Sequence, residues 1–463
     1  MNHKSGYLLL ITLVASLGGF LFGFDMAVVS GILPLLKKQF ALSAAGEGWF
    51  VSSALMGCIM GVAISGELTD RLGRKQPLLL AALLFLLSAL GCALLPSLPG
   101  IIVARITGGI GIGLASNVVP LYISEIAPAR IRGRLITCYQ FALTLGILAA
   151  YITNAALLNY ATAHAGGGNS GLLHHLLVAE SWRGMFGIGV LPALLFLCGL
   201  LLVPESPRWL IQQQRTKEAA AILNQLSNPL EAQGSLLQAQ QAMRESYREW
   251  LAPQWRKALL IGILLPLFSQ FSGINAIIYY GPSILSDAGI SLSNSLMSQV
   301  IFGGANMLFT LIAIWKVDSL GRRPLYLAGT AGAAISLLCT GICFYAGATG
   351  GWIVLVCVLA FLASFAFSIG PLKFVVAAEI FPGAIRGRAM AISIMVMWVA
   401  DTIVGQLTPI LLKHVGTAVT FWLFALFCLI AFVAVYRLLP ETKGKSLEQI
   451  EKDWKASTGN GQT

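Results

Sequence analysis

Charge is scarce in this chain. Asp, Glu, Lys and Arg make up 11% of its 463 residues, against about a quarter in a soluble domain. Histidine is scarcer still, at five, and three of these (His164, His174, His175) fall in one short segment. Two adjacent histidines rarely hold a metal without a third ligand, so no metal site is expected, and no nucleophile–base pair is present from which to build an enzyme. Cysteine numbers eight, always in or beside apolar runs and never at ligand spacing, so these residues read as packing groups. Polar stretches are also few: only about Glu205 to Gln254 is extended and hydrophilic. No low-complexity tract is present. What fills the chain instead is apolar, with 57% hydrophobic residues and a mean hydropathy of +0.80. That composition belongs to a polytopic membrane protein.

Twelve spans of sufficient length follow, near 7–34, 48–69, 77–95, 100–124, 135–158, 183–203, 257–285, 295–316, 324–346, 352–378, 388–412 and 417–439. Lys4 followed by an apolar run superficially resembles a signal peptide. The run continues to about Leu35, too long for an h-region, so it is the first span. With both termini placed in the cytoplasm, Lys and Arg lie on that side except for Lys37, Lys38, Arg183 and Lys413 outside and Arg105 and Lys373 within spans. The net charge of +11 is therefore a membrane-orientation signal and excludes a nucleic-acid surface.

The chain repeats itself at an interval of six spans. Asp70-Arg71-Leu-Gly-Arg74-Lys follows span 2, and Asp318-Ser-Leu-Gly-Arg322-Arg follows span 8. Glu125 and Arg132 after span 4 match Glu379 and Arg386 after span 10, each pair seven residues apart. Glu205 and Arg208 in Pro-Glu-Ser-Pro-Arg after span 6 match Glu441 in Pro-Glu-Thr-Lys after span 12. All six motifs land on the cytoplasmic face. Read physically, they are either solvated topology signals or ion pairs between halves that form and break with conformation.

Four further charges lie within spans: Asp25, Arg105, Lys373 and Asp401. Each costs ~2.5–3.5 kcal/mol at a bilayer centre even on the lenient insertion scale. Asp25 and Arg105 have compatible depths, ~12 and ~8 Å below the outer face by helical rise. Gly19 and Gly23 on span 1, with Gly109 and Gly113 on span 4, are spaced to let these helices approach. Such a pair is either a static ion pair or a proton site, because any change in separation changes the proton affinity of Asp25. Lys373 and Asp401 form a possible buried pair, their depths mismatched at ~9 and ~20 Å from the joining loop. Lys373 leans toward its helix N-terminus, and a break at Gly370-Pro371 would narrow the gap further. Alternatively Lys373 snorkels and Asp401 faces water.

Span 7 reads Gln270-Phe-Ser-Gly273-Ile-Asn275-Ala-Ile-Ile-Tyr279-Tyr280-Gly-Pro282. Asn275 and Tyr279 share a helical face and Gln270 points away, unless the backbone breaks near Gly273 and turns them toward one cavity. The residues alone leave open an interhelical amide lock or a ligand site. This stretch and the six loop motifs resemble the sugar porters of the major facilitator superfamily, which includes proton symporters and facilitators.

That resemblance implies an all-α membrane protein of two six-helix halves. The expected divisions are an N-terminal half at 1–203, a cytoplasmic helical linker at 204–256, a C-terminal half at 257–440 and a cytoplasmic tail at 441–463. Linker helices are expected at Arg215–Leu226 and Leu236–Trp250. The resemblance also implies a sugar site from Phe22, Gln140, Gln270, Asn275, Tyr279, Asn306, Phe374 and Trp398. It implies a cytoplasmic gate from the loop charges and, through Gly19-Phe-Leu-Phe22-Gly-Phe-Asp25, proton coupling at Asp25 and Arg105. The expected partners are a pentose or hexose, protons and the bilayer. The expected form is a monomer with no cofactor, in a bacterial inner membrane.

The chain departs from the family pattern at Ser269 for glutamine, Phe374 for tryptophan, Met397 for a polar residue, and at Lys373 and Asp401. A facilitator or a transporter-like sensor are the competing readings. Asp25 argues against the first, and the short stretch after Leu439 against the second.

Overall fold

The computed structural model describes residues 3–127, 132–165, 171–226, 255–287, 289–348, 352–381, 386–441 and 443. Side chains at 3–5, 132–134, 314, 317–319, 374, 378 and 386–388 lie outside the description. Twelve helices long and apolar enough to cross a membrane run from Gly6–Phe40 to Thr417–Leu438. The chain is an all-α membrane protein. Helices are the solution because hydrocarbon offers no hydrogen bonds, so each segment must satisfy its own backbone.

The ends of the spans follow local chemistry. Span 1 continues to Phe40, past the expected end at Pro34. Its terminal cations are accommodated, since Lys37 pairs with Glu47 at 2.7 Å. Ser97 caps span 4 by accepting from the Gly100 N–H, and Ser291 caps span 8 by accepting from Asn294. Arg183, read from sequence only as an outside charge, is buried and serves the fold. Its guanidinium donates to the carbonyls of Ala93 and Leu95 at 3.2 and 2.7 Å, satisfying the end of span 3, and it also pairs with Glu180.

The described chain forms two compact units, one of Met1–Ile32 with Ser53–Ser246 and one of Leu33–Ser52 with Tyr247–Thr463. The duplication is visible in their packing. In the first unit the third span packs on the fourth and the sixth; in the second the ninth packs on the tenth and the twelfth. Span 1 lies against span 5 as the inner part of span 7 lies against span 11.

The expected glycine seam between spans 1 and 4 is not how these glycines are used. A Cβ at Gly23 would sit 1.9 Å from the Leu143 carbonyl of span 5, and one at Gly109 1.9 Å from the Ala54 carbonyl of span 2. The span 1 glycines admit span 5 and the span 4 glycines admit span 2, and Arg105 reaches Asp25 through its side chain.

Between the units' membrane spans, Pro207–Gln212 and Thr216–Leu226 form two short helices. They are joined by an apolar cluster of Trp209, Leu210, Ile211 and Ala219. The Trp209 indole donates to the Asp70 carbonyl at 3.0 Å, tying the linker to the end of span 2. The second expected linker helix, Leu236–Trp250, and the tail beyond Lys443 lie outside the described residues.

Candidate functional site

Loop charges are the first group. In the first unit the Arg74 guanidinium holds Glu125 through two hydrogen bonds, Nε to Oε2 at 2.8 Å and Nη2 to Oε1 at 2.7 Å. The side chains are only 6% and 2% exposed. Glu205 accepts from the backbone N–H groups of Arg74 and Lys75. The second unit repeats this arrangement. Arg322 bonds Glu379 at 2.7 and 3.1 Å, and Glu441 accepts from the N–H groups of Arg322 and Arg323.

The glycine of each motif explains its place. Gly73 and Gly321 have φ of +86° and +88°, a conformation that costs other L-residues ~1–2 kcal/mol. It turns the next two N–H groups onto one carboxylate. At Gly73 a Cβ would also stand 2.4 Å from Glu205 Oε2. Gly73→Ala is therefore expected to lower stability by more than ~1 kcal/mol, read as earlier thermal unfolding in detergent. Unchanged unfolding would deny the carboxylate its backbone cradle.

Among the described side chains, these two ion pairs each join groups of the same half. In the first unit the loops after spans 2, 4 and 6 converge on one another. Arg71 is exposed and pairs with Glu67 at 2.7 Å on its own helix. The Asp70 and Arg208 side chains are exposed. Arg132 and Arg386 start described helices and Asp318 lies in the last turn of one, but their side chains lie outside the description.

The intramembrane charges of the first unit meet. Arg105 Nη1 donates to Asp25 Oδ2 at 2.9 Å, with the guanidinium 2% exposed and the carboxylate 17%. The Phe186 ring lies 5.7 Å from the guanidinium carbon, a cation–π contact in a dry setting. Phe22 and Gln140 are half-buried in the same unit.

Span 7 is broken. Its helices are Arg256–Phe271 and Ile274–Asp287, and Gly273 between them has φ of +84°. The break brings Gln270 and Asn275 together despite their opposed positions on a straight helix: Asn275 Nδ2 donates to Gln270 Oε1 at 2.7 Å. The Tyr279 hydroxyl donates to Asp401 Oδ2 at 3.1 Å, and the Tyr280 hydroxyl to the Gly405 carbonyl at 2.6 Å. Both contacts run to span 11. Asn306 and Trp398 are buried in this unit, and Phe374 falls on a described helix with its side chain outside the description.

Span 10 is irregular where Gly370-Pro371 predicts it. A π-helical turn, Phe365–Ile369, precedes Gly370, as expected where proline removes a ladder donor. Lys373 follows, buried, and its ammonium donates to Ser269 Oγ at 3.1 Å.

Comparison with known proteins decides the family. Residues 11–454 match the family model described as Sugar (and other) transporter. The chain belongs to the sugar transporter family. It is 40% identical to the arabinose-proton symporter of Bacillus subtilis (strain 168), covering 98% of this chain and 96% of that protein. It is 37% identical to the D-xylose-proton symporter of Escherichia coli (strain K12), over 99% and 98% of the two chains. Among solved structures, the proton:xylose symporter XylE bound to 6-bromo-6-deoxy-D-glucose is 36% identical with a TM-score of 0.81. It covers 97% of this chain and 100% of that one. The fold is thus that of the major facilitator superfamily.

Sequence reasoning missed two groups. Gln406 of span 11 accepts from Ser52 at 2.7 Å and donates to the Ala45 carbonyl at 3.2 Å, within the second unit. Gln299 of span 8 is fully buried against Gly281, and among the described residues neither of its side-chain polar atoms has a hydrogen-bond partner. An amide inside an apolar run was the available signal for Gln299, the same signal that singled out Asn275.

Proposed function

We infer that the protein is a secondary active transporter that imports a monosaccharide by proton symport through alternating access. The protein is a multi-pass membrane transporter and not an enzyme. The observation that carries the coupling is the Asp25–Arg105 pair, an ionisable carboxylate held by a guanidinium within a membrane span. Symport needs a group whose proton affinity changes with conformation, and a charge pair of adjustable separation supplies one. The names of the relatives, an arabinose-proton and a D-xylose-proton symporter, support the same class of cargo. A pentose or hexose is the substrate on this reading, and the membrane is a bacterial inner membrane.

Gln270, Asn275, Tyr279, Asn306, Trp398 and Phe374 are assigned to the sugar in the C-terminal half, and Phe22 and Gln140 in the N-terminal half. Amides suit hydroxyls because each both donates and accepts, and aromatic faces suit the C–H surfaces of the ring. The repeated motif clusters, Arg74–Glu125–Glu205 and Arg322–Glu379–Glu441, are assigned to brace the cytoplasmic ends of each half so that it moves as a body. Asp70, Arg71, Arg132, Arg208, Asp318 and Arg386 complete that gate. The working unit is the monomer, with halves at 1–203 and 257–440 joined through 204–256.

The test is uptake of a sugar panel (D-xylose, L-arabinose and D-glucose) into proteoliposomes, with and without an imposed pH gradient. Accumulation of one sugar above equilibrium only with the gradient is the expected result. Equilibration without accumulation under any gradient would make the protein a facilitator, and binding without flux a sensor.

A further inference from the structure

Span 6 is interrupted next to Phe186. Its helices are Ser181–Gly187 and Val190–Leu202. Pro192 has no N–H to give the Ile188 carbonyl, which accepts from Leu191 at 3.1 Å instead, and the Gly189 N–H turns back to the Phe186 carbonyl at 3.0 Å. The short outer helix is buried from Ser181 to Phe186. Arg183 anchors it, through the carbonyls of Ala93 and Leu95 and a cation–π contact 4.2 Å from the Trp182 ring. Phe186 is therefore carried on a fixed element, with its ring 3% exposed.

That ring faces Arg105, with 5.7 Å from its centroid to the guanidinium carbon, and the same guanidinium donates to Asp25 Oδ2 at 2.9 Å. The cation thus stands between two partners of different kinds. One is a carboxylate whose charge disappears on protonation; the other is an aromatic face that does not titrate. The guanidinium and the ring are enclosed, whereas the carboxylate keeps some access to water. Neighbouring spans bring few titratable groups. Span 3 places the Cys92 thiol near both charges, and Tyr139 and Tyr151 are buried on span 5. Arg183 of span 6 is turned to the end of span 3. Span 2 meets span 4 at Gly57, and its own Glu47 and Glu67 are ten positions away on either side.

A symport cycle neutralises the Asp25 carboxylate and later restores it, while the guanidinium keeps its proton throughout. A buried cation that loses its counter-charge is costly. The negative face of an aromatic ring offsets part of that cost, and more in a dry site than in water.

We propose that Phe186 is a positioning residue of the coupling pair: its ring holds the Arg105 guanidinium while Asp25 carries the transported proton. With the ring present, the guanidinium leans toward it when water protonates the carboxylate, and the neutral state of Asp25 is reached more easily. Without the ring, Arg105 depends more fully on the carboxylate, and the medium must be more acidic before Asp25 takes up its proton. This assignment rests on the reading of Asp25 and Arg105 as the coupling pair.

The experiment is the initial rate of sugar uptake into proteoliposomes under a gradient held at one pH unit while both sides are stepped together through the pH range. The driving force then stays constant. The sugar is whichever of D-xylose, L-arabinose or D-glucose the wild type accumulates. Phe186→Leu is expected to move the pH of half-maximal rate toward acid by about 0.5 to 1, the part of a dry cation–π attraction that depends on the charge of Asp25. Mono-, di- and trifluorinated phenylalanine at position 186 keep the shape of the ring while draining its negative face. They should move the midpoint the same way in steps, and they keep the test open should Phe186→Leu fail to fold.

An unmoved midpoint across the fluorinated series would overturn the assignment, even with a displaced midpoint in Phe186→Leu, because the ring would then act by packing alone. A shift toward alkali would overturn it as well. So would a raised half-saturation for sugar in counterflow with the midpoint in place, which would put the ring on the sugar path. Asp25→Asn is measured in parallel. Accumulation that survives in that variant, or that is absent from the wild type, overturns the coupling reading itself, a result distinct from all of these.

Discussion

Asp25→Asn is expected to abolish accumulation of sugar while leaving exchange of sugar across the membrane in place. Asparagine keeps the shape of the side chain and accepts from Arg105, but it cannot take up a proton. One proton per sugar and a gradient of one pH unit can hold about a ten-fold sugar gradient, since 1.4 kcal/mol is a factor of ten. In the variant the internal-to-external ratio should fall to one under the same gradient, with counterflow still measurable. Arg105 remains buried and charged in the variant, so some loss of thermal stability should accompany the change. Accumulation that survives in Asp25→Asn would move coupling to another group, and Asp401 is the next intramembrane carboxylate.

Removing one partner of the Arg74–Glu125 pair should produce the largest loss of stability among the loop motifs. Both side chains are almost fully enclosed, and Glu125 also bonds Ser206 at the start of the linker. Glu125→Ala strands a buried guanidinium, which in comparable sites costs ~3–5 kcal/mol. The matching pair of the second unit is more open, with Arg322 13% and Glu379 23% exposed. Solvent screens it more, so Glu379→Ala should cost visibly less. Thermal unfolding of both variants in detergent makes the comparison. Equal losses would show that burial does not govern the difference between the repeats.

Fold was legible because its determinant is one-dimensional. A bilayer requires about twenty apolar residues at a stretch, and every expected span has its helix within a few residues. The largest error was at the outer end of span 1, where a hydropathy boundary stops at Lys37 and Lys38 but the helix does not, because Glu47 neutralises one of them. The break in span 7 was readable from Gly273 because glycine adopts positive φ without the steric cost that other residues bear.

Partnerships were less legible. Glycine spacing says that a helix can be approached, not by which neighbour, and Gly23 and Gly109 face spans 5 and 2. The loop motifs gave their charges but not their pairing, since equal spacing in both repeats fits pairs within a half as well as pairs across. In the sequence Lys373 is matched with Asp401, and Ser269 stands as an isolated departure. Only the folded chain puts residues 104 positions apart in hydrogen-bond contact.

Sugar-coupled proton movement tests the central claim most directly. Wild-type proteoliposomes in weak buffer, with no imposed gradient and the membrane potential clamped, receive a pulse of the transported sugar while external pH is recorded. Symport through Asp25 predicts a prompt alkalinisation of the medium that is absent from Asp25→Asn liposomes, although both exchange the labelled sugar. Sugar entry into wild-type liposomes with no change in external pH would contradict it.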